Sequence, residues 1–505
     1  MIRLAITYEN SLPSDQADAE QFVSNASALA RRHDLEATLL IPPPLEPLES
    51  VRRSHAMDPQ LSVRVLASGS SMVGVQHVRH AAAVARSHEA RDADLVYTRN
   101  LTVMLAALRA GHRVAYEHYR PWPNQIPPLQ PLLRWSMRHP NFVGGIFHSS
   151  YARQSYLDLG VDPHSIRTFH NGYDPTRFEP RLSREEARRT LGLDLDRPTL
   201  VYAGRINEKK GLELLLEIAA GLPQADFVLV GSTGEGPIER AAAELSNVHM
   251  RPWQPFEGVA PYLFAADLLI IPPSSKPLTE FGSTVLPLKL FNYLAAGRPV
   301  VAADAPDVRE LLVQDDNALL LPPDDAHAAV HQLRALLANP ARMGRLAEGA
   351  RRSSLALTWD RRAKRIDAFL RERLDAGRRT WRMGPFLGES LRWARSAAHG
   401  HLFLAPRPET EDSAAWGSVQ DKSCTPRSNV VMRNDHDATW GASARADPTA
   451  LTTSPSTLRC AANHAISAIM PARVVATLRD TRQAWRQPHM QRDRPSAWAL
   501  VLGIA

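Results

Sequence analysis

The stretch Leu278-Thr-Glu-Phe-Gly-Ser-Thr-Val-Leu-Pro-Leu-Lys-Leu-Phe-Asn-Tyr-Leu-Ala-Ala-Gly-Arg-Pro-Val-Val-Ala302 joins a polar loop, a helix start, a helix stop and a buried strand. Pro287 suits a first helical position, Gly297 a C-terminal stop, and Pro299 to Ala303 reads as a short β-run. Leu288, Phe291, Leu294 and Ala295 mark the apolar stripe of the helix, while Lys289 and Asn292, three apart, share the opposite face. A helix N-terminus that also carries a lysine favours phosphate, because its unpaired N–H groups and the ammonium act on the same anion.

Working back along the chain, Thr199-Leu-Val-Tyr-Ala-Gly-Arg-Ile-Asn-Glu-Lys-Lys-Gly-Leu-Glu-Leu-Leu-Leu-Glu-Ile218 runs strand, glycine turn, basic loop, helix. Arg205 offers a planar fork matched to phosphate oxygens and Lys210 a mobile point charge, so the pair can grip a diphosphate from two sides. Gly204 and Gly211 allow close backbone approach. The competing reading of these residues is a solvated loop and the polar outer face of an ordinary helix.

Together the two segments resemble the C-terminal half of the family 4 glycosyltransferases, retaining enzymes of the GT-B fold that use nucleotide-sugar donors. The resemblance places Gly204, Arg205, Lys210 and Gly211 at the donor diphosphate, and Leu294 to Val301 on the family's Ala-x-Gly-x-Pro-Val-Val pattern. Two positions depart from it. Asn292 stands where the family has the second glutamate of its pair, the one that bonds the ribose, and Thr284 stands where the first is expected; Glu280 is nearby but out of register. The run from Pro287 to Tyr293 is similar to a subgroup wording, Pro-x-Lys-x-Phe-Glu-Tyr, in which Lys289 adds charge. Asn292 retains a donor and an acceptor for ribose hydroxyls.

Earlier residues extend the resemblance over about residues 1 to 375. Asp94 to Arg99, Val114 to His118, Gly145 to Ser150 and Ile166 to Phe178, with its Asn171-Gly-Tyr-Asp174 signature, resemble the family's order of strand ends. His118 matches the histidine placed beside the donor sugar, although a strand-end histidine also occurs for packing alone. After the strand Met1 to Thr7 the usual glycine-rich loop is replaced by Leu12 to Val23.

Alternating β-runs and helical patterns predict an α/β chain of two Rossmann-like, doubly wound domains facing a cleft. The predicted β-runs include Thr38 to Ile41, Leu95 to Thr98, Val114 to Tyr116, Leu200 to Ala203, Phe227 to Val230 and Leu268 to Ile271. The expected division is an acceptor domain over 1–178, a donor domain over 179–355, a helical segment over 356–385 that crosses back to the first domain, and a low-order extension over 386–505. Ser183 and Glu186 form a capping-box pattern where the second domain begins, and helices are expected at Ala326 to Leu337 and Asp360 to Leu374.

A net charge of +7 without a nucleic-acid motif argues for anionic substrates or an anionic membrane surface rather than nucleic acid. The two cysteines, Cys424 and Cys460, lie outside the matched region, which excludes a disulfide framework for the core and fits a reducing compartment. No signal-like start and no spanning apolar run is read, so the expected location is cytoplasmic, with peripheral contact at the inner membrane surface. Asp194 and Asp196 are a weak metal-site match, and no metal or cofactor is expected beyond a nucleoside-diphosphate-sugar co-substrate.

The resemblance therefore implies a metal-independent hexosyltransferase acting with retention on a glycan or lipid-linked acceptor, as in cell-envelope polysaccharide synthesis. The alternatives are another enzyme of the same fold, such as a phosphorylase or epimerase, and a weakened protein that serves as a glycan-binding or scaffold partner.

Overall fold

The computed structural model describes residues 1–14, 16–66, 75–280 and 286–376, all of which fall within one compact unit. Thr284, Cys424, Cys460 and the expected extension over 386–505 lie outside the described residues.

Two parallel sheets organise the chain. The first contains β1 (Ile2–Thr7), β2 (Leu35–Ile41), β3 (Ser62–Val65), β4 (Leu95–Thr98), β5 (Val114–His118), β6 (Phe142–Phe147) and β7 (Ile166–Thr168), in the order β3-β2-β1-β4-β5-β6-β7. The second contains β8 (Thr199–Ala203), β9 (Asp226–Ser232), β10 (Val248–Pro252), β11 (Leu268–Ile270), β12 (Val300–Ala303) and β13 (Ala318–Leu321), in the order β10-β9-β8-β11-β12-β13. Parallel strands covered by helices on both faces are buried on both, so they read as continuous apolar runs. Every residue of β4, β5, β6, β8, β12 and β13 is buried. Separate clusters of buried residues fill the two sides of each sheet.

Local chemistry sets the helix ends. Ser183 and Glu186 form the expected capping box before the helix Arg184–Leu191, which stops at Gly192 in the left-handed conformation. Pro287 is the N-cap of the helix Leu288–Ala296 rather than its first helical residue, with extended backbone at φ −65°, ψ 137°. A proline's fixed φ serves either place, and only ψ separates them. Gly297 ends that helix at φ +65°. Burial on it is wider than a single stripe, taking in Leu290, Tyr293 and Ala296, because strands and a following helix cover it on several sides.

The helix Trp359–Ala376 packs on the helix Ala17–Ala30 and on β6, and its Trp359, Ala363, Ile366, Phe369 and Leu370 complete the first sheet's core. A buried polar cluster pins it. Arg362 donates to Glu117 of β5 at 3.0 Å, and Glu117 also accepts from Gln21 at 2.6 Å, with His148 Nε2 2.6 Å away. Burial alone would raise the Glu117 pKa, but Arg362 and the hydrogen bonds hold it far below the ordinary carboxylate range.

Candidate active site

In a doubly wound sheet the chain leaves one strand to build outward on one side, then returns to build on the other. Loops therefore diverge at the carboxyl ends of the two strands at the reversal and leave a crevice. In the second sheet these strands are β8 and β11.

Gly204 follows β8 at φ +151°, a conformation that disfavours any side chain. A Cβ there would lie 2.4 Å from Lys289 Nζ. Lys289 reaches from the helix Leu288–Ala296 and rests its ammonium on the Tyr202 ring, 3.5 Å from the centroid. The Tyr202 hydroxyl donates to the Arg205 carbonyl at 2.9 Å, and the Ala203 N–H donates to Tyr293 Oη at 2.8 Å. The strand end, the basic loop and the lysine helix are thus fastened together by two tyrosines.

Lys210 ends a 3-10 turn, Glu208–Lys210, and Gly211 follows at φ +67° before the helix Leu212–Gly221. A Cβ on Gly211 would sit 2.5 Å from Ser274 Cβ, so the loop after β8 lies directly against the loop after β11. Lys276 closes the same contact with a 2.7 Å bond to Glu213, and Asp324 accepts from Ser274 Oγ and Ser275 N at 2.9 Å each.

The electrostatics are one-sided. Burial, then Arg205 and Lys209, lower the Lys210 pKa; burial, then Lys210, lower that of Lys289 well below the usual lysine value. Among the described residues neither Lys210 nor Lys289 has a carboxylate within ion-pair distance. Two half-buried ammonium groups without a counter-ion are complementary to an anion of more than one charge.

The structure thus brings Gly204, Arg205, Lys210, Gly211 and Lys289 together. Asn292 is half-buried one turn beyond Lys289 on the same helix. Glu280 is exposed at the end of the helix Lys276–Thr279, in the field of Lys276. Asp194 accepts from the backbone N–H groups of Asp196 and Arg197 at 2.8 and 3.1 Å, a turn-forming role. Among the described residues no group of three or more His, Cys, Asp or Glu side chains is placed to hold a metal ion, and no helix is long and apolar enough to cross a membrane.

His118 ends β5 in the first sheet and is buried. Its Nδ1 is 3.1 Å from Tyr116 Oη, its ring lies 4.1 Å from Trp122 centroid to centroid, and its Nε2 is buried without a hydrogen-bond partner. Burial, reinforced by Arg99, pushes its pKa well below the histidine norm, so it is a neutral imidazole. A neutral ring with one open nitrogen can orient a hydroxyl.

Sequence reasoning missed Glu310. Its carboxylate accepts from the N–H groups of Ser150 and Tyr151, at 2.8 and 2.9 Å, where the helix Ser150–Asp158 of the first sheet begins, and meets His170 Nε2 at 2.9 Å. The second sheet's layer is thereby bonded to the first's, through an interaction separated by some 160 residues. Tyr202 lies within the predicted β-run Leu200 to Ala203, a pattern that carries no signal of its contact with Lys289.

Residues 197–339 match the family model described as Glycosyl transferases group 1. Among curated relatives, D-inositol 3-phosphate glycosyltransferase 1 of Catenulispora acidiphila is 28% identical over 236 residues, covering 43% of this chain and 54% of that protein. The chain spans about half the length of the curated relatives it matches. Sucrose-phosphate synthase from Thermosynechococcus elongatus superposes with a TM-score of 0.60 at 20% identity, covering 74% of this chain and all of that one. Anabaena HepE, solved in complex with UDP-glucose, gives 0.57 at 16%, again over 74% of this chain and 100% of that one. The fold is GT-B. His118 ends a strand of its first sheet, and Lys210 and Lys289 stand in the layer of its second.

Proposed function

We propose that this protein is a glycosyltransferase that takes a sugar from a nucleoside diphosphate and passes it, with retention and without a metal, to a glycan or lipid-linked acceptor. The observation that carries the reading is the placement of Lys210 and Lys289 at the crevice between β8 and β11, both half-buried and neither with a carboxylate within ion-pair distance among the described residues, where Gly204 lies against Lys289 and Gly211 against Ser274. The match of residues 197–339 to a glycosyltransferase model supports it from a separate direction.

Cleaving the bond from the anomeric carbon to the donor phosphate builds negative charge on the departing diphosphate. Cationic groups fixed where that charge grows lower the barrier, and they act most strongly where water is excluded. Lys210, Lys289 and Arg205 fill this role, with the first amides of the helix Leu212–Gly221 beside them. Asn292 holds the ribose through its amide. His118, neutral and open at Nε2, orients a sugar hydroxyl, and the acceptor hydroxyl attacks from the face the diphosphate leaves. Acceptor binding falls to the first sheet, and a lipid-linked acceptor would bring the protein to the inner membrane surface.

The test is a panel of UDP-, GDP- and ADP-sugars incubated with glycan and lipid-linked acceptors. The reading requires nucleoside diphosphate release that depends on the acceptor. Binding without turnover throughout the panel would favour a scaffold role, and consumption without any acceptor would favour an epimerase.

A further inference from the structure

A cavity of about 600 Å³ opens at the opposite end of the second sheet, where β11 and β12 begin. Asp267 and Pro299, which immediately precede those strands, line it, together with Arg181, Arg184 and Arg298. Across it stand Met343 and Gly344 of the helix Pro340–Ser354. The span of β11 or β12, about 10 to 13 Å at ~3.3 Å per residue, separates it from the lysine crevice.

The carboxylates of this cavity are already committed. Asp267 accepts from Arg184 and Arg188 at 2.6 Å each and from the Thr199 N–H at 2.8 Å, and Glu185 accepts from Arg184 at 3.0 Å. Among the described residues, Arg181 and Arg298 donate hydrogen bonds to carbonyl oxygens alone. Arg181 donates to Ala295 and Ala296, where the helix Leu288–Ala296 ends, and Arg298 donates to Phe264 at 2.7 Å. Arg298 Nε is buried without an acceptor. Glu179 attracts Arg181 from beyond ion-pair distance, while Arg351 repels it. Burial and then the neighbouring guanidiniums lower the pKa of both arginines.

Carbonyl bonds hold the two guanidiniums in place without an ion pair; Asp267 and Glu185 attract Arg298 from beyond ion-pair distance, and both already accept from Arg184. We propose that this cavity binds a phosphate-bearing ligand whose anionic group supplies the counter-charge for Arg181 and Arg298, with Met343 against its less polar part. Guanidinium forks fixed in advance lose little entropy on meeting phosphate oxygens, which is what favours arginine over lysine in such places. The phosphate belongs either to a soluble metabolite or to the headgroup of an anionic lipid.

The experiment uses the full chain carrying Arg205→Ala, Lys210→Ala and Lys289→Ala, which removes the crevice's cations, and inorganic pyrophosphate as the probe in isothermal titration. Gly344→Glu is the decisive variant, since a Cβ at Gly344 meets no atom within 4 Å and the change removes no existing bond. Pyrophosphate binding should persist in this background, weaken by about tenfold or more with Gly344→Glu and with Arg298→Gln, and hold with Gly344→Gln. Flotation with phosphatidylglycerol vesicles that is lost in Gly344→Glu identifies the lipid source; pyrophosphate binding without flotation identifies the soluble one. No binding in this background, or binding indifferent to Gly344→Glu, overturns the proposal.

Discussion

Lys289 Nζ stands 3.5 Å from the centre of the Tyr202 ring, and the Tyr202 hydroxyl bonds the Arg205 carbonyl at 2.9 Å, so one tyrosine supports both the ammonium and the loop of the arginine. Burial raises the Tyr202 pKa, which keeps the phenol protonated and donating. The ring offers its negative face to Lys289 as a partial substitute for water. That support is incomplete, and the lysine remains easier to deprotonate than one in solvent.

The first prediction follows from that sign. An anion binds the protonated ammonium, so donor affinity is full below the free-state pKa of Lys289 and falls as pH rises through it. Titrations of UDP between about pH 6 and pH 10 should show affinity declining well before an ordinary lysine, near 10.4, would lose its proton. Binding should take up protons at the upper end of this range, and Lys289→Arg should reduce the uptake, leaving the part due to Lys210. Affinity that is flat with pH would contradict the assignment.

Gly204→Ala should strain the backbone and push Lys289 from its seat. The cost of holding alanine at that φ is on the order of 1–3 kcal/mol. Thermal denaturation should report this loss, and UDP affinity should fall with it because the displaced ammonium no longer faces the crevice.

Glu310 joins the two layers. Burial would raise its pKa, but His170 and the two N–H groups at the start of the helix Ser150–Asp158 outweigh it, and the net shift is downward. A carboxyl whose folded pKa is depressed contributes stability above its unfolded value, and that contribution is lost as pH falls through the folded one. Glu310→Gln should remove about 0.3–2 kcal/mol, the range for a charge at a helix N-terminus. Proteolysis at the domain junction should accelerate in the variant at neutral pH, and the difference from wild type should vanish in acid.

Most of the fold was legible because parallel strands announce themselves as apolar runs and because caps such as Ser183–Glu186 are local. The strands β3 and β10, with partly exposed residues, carry no continuous apolar signature and were not singled out, and the short buried run of β13 was passed over as well. Lys289 was read as a polar face residue, and the sequence placed it near phosphate through the helix start. Its contact with Tyr202 joins positions 87 residues apart and has no local signal. Glu310 and the Glu117–Arg362 pair were invisible for the same reason: each depends on which distant backbone or charge the fold delivers.

That buried pair gives a further test. Arg362→Met leaves Glu117 uncompensated beneath the helix Trp359–Ala376, and removal of one partner from a buried ion pair costs about 3–5 kcal/mol. Denaturant unfolding should show a loss of this size. The double variant Arg362→Met/Glu117→Gln should recover much of it.

The central claim is that Arg205 and Lys210 stabilise the diphosphate as it departs. Steady-state kinetics of Arg205→Ala and Lys210→Ala, with whichever nucleotide-sugar the wild type turns over, test it most directly. Each substitution should lower kcat by roughly 10² to 10³, as for loss of a comparable oxyanion donor, with a smaller change in donor affinity and none in binding of the free nucleoside. Near wild-type turnover in both folded variants would contradict the account.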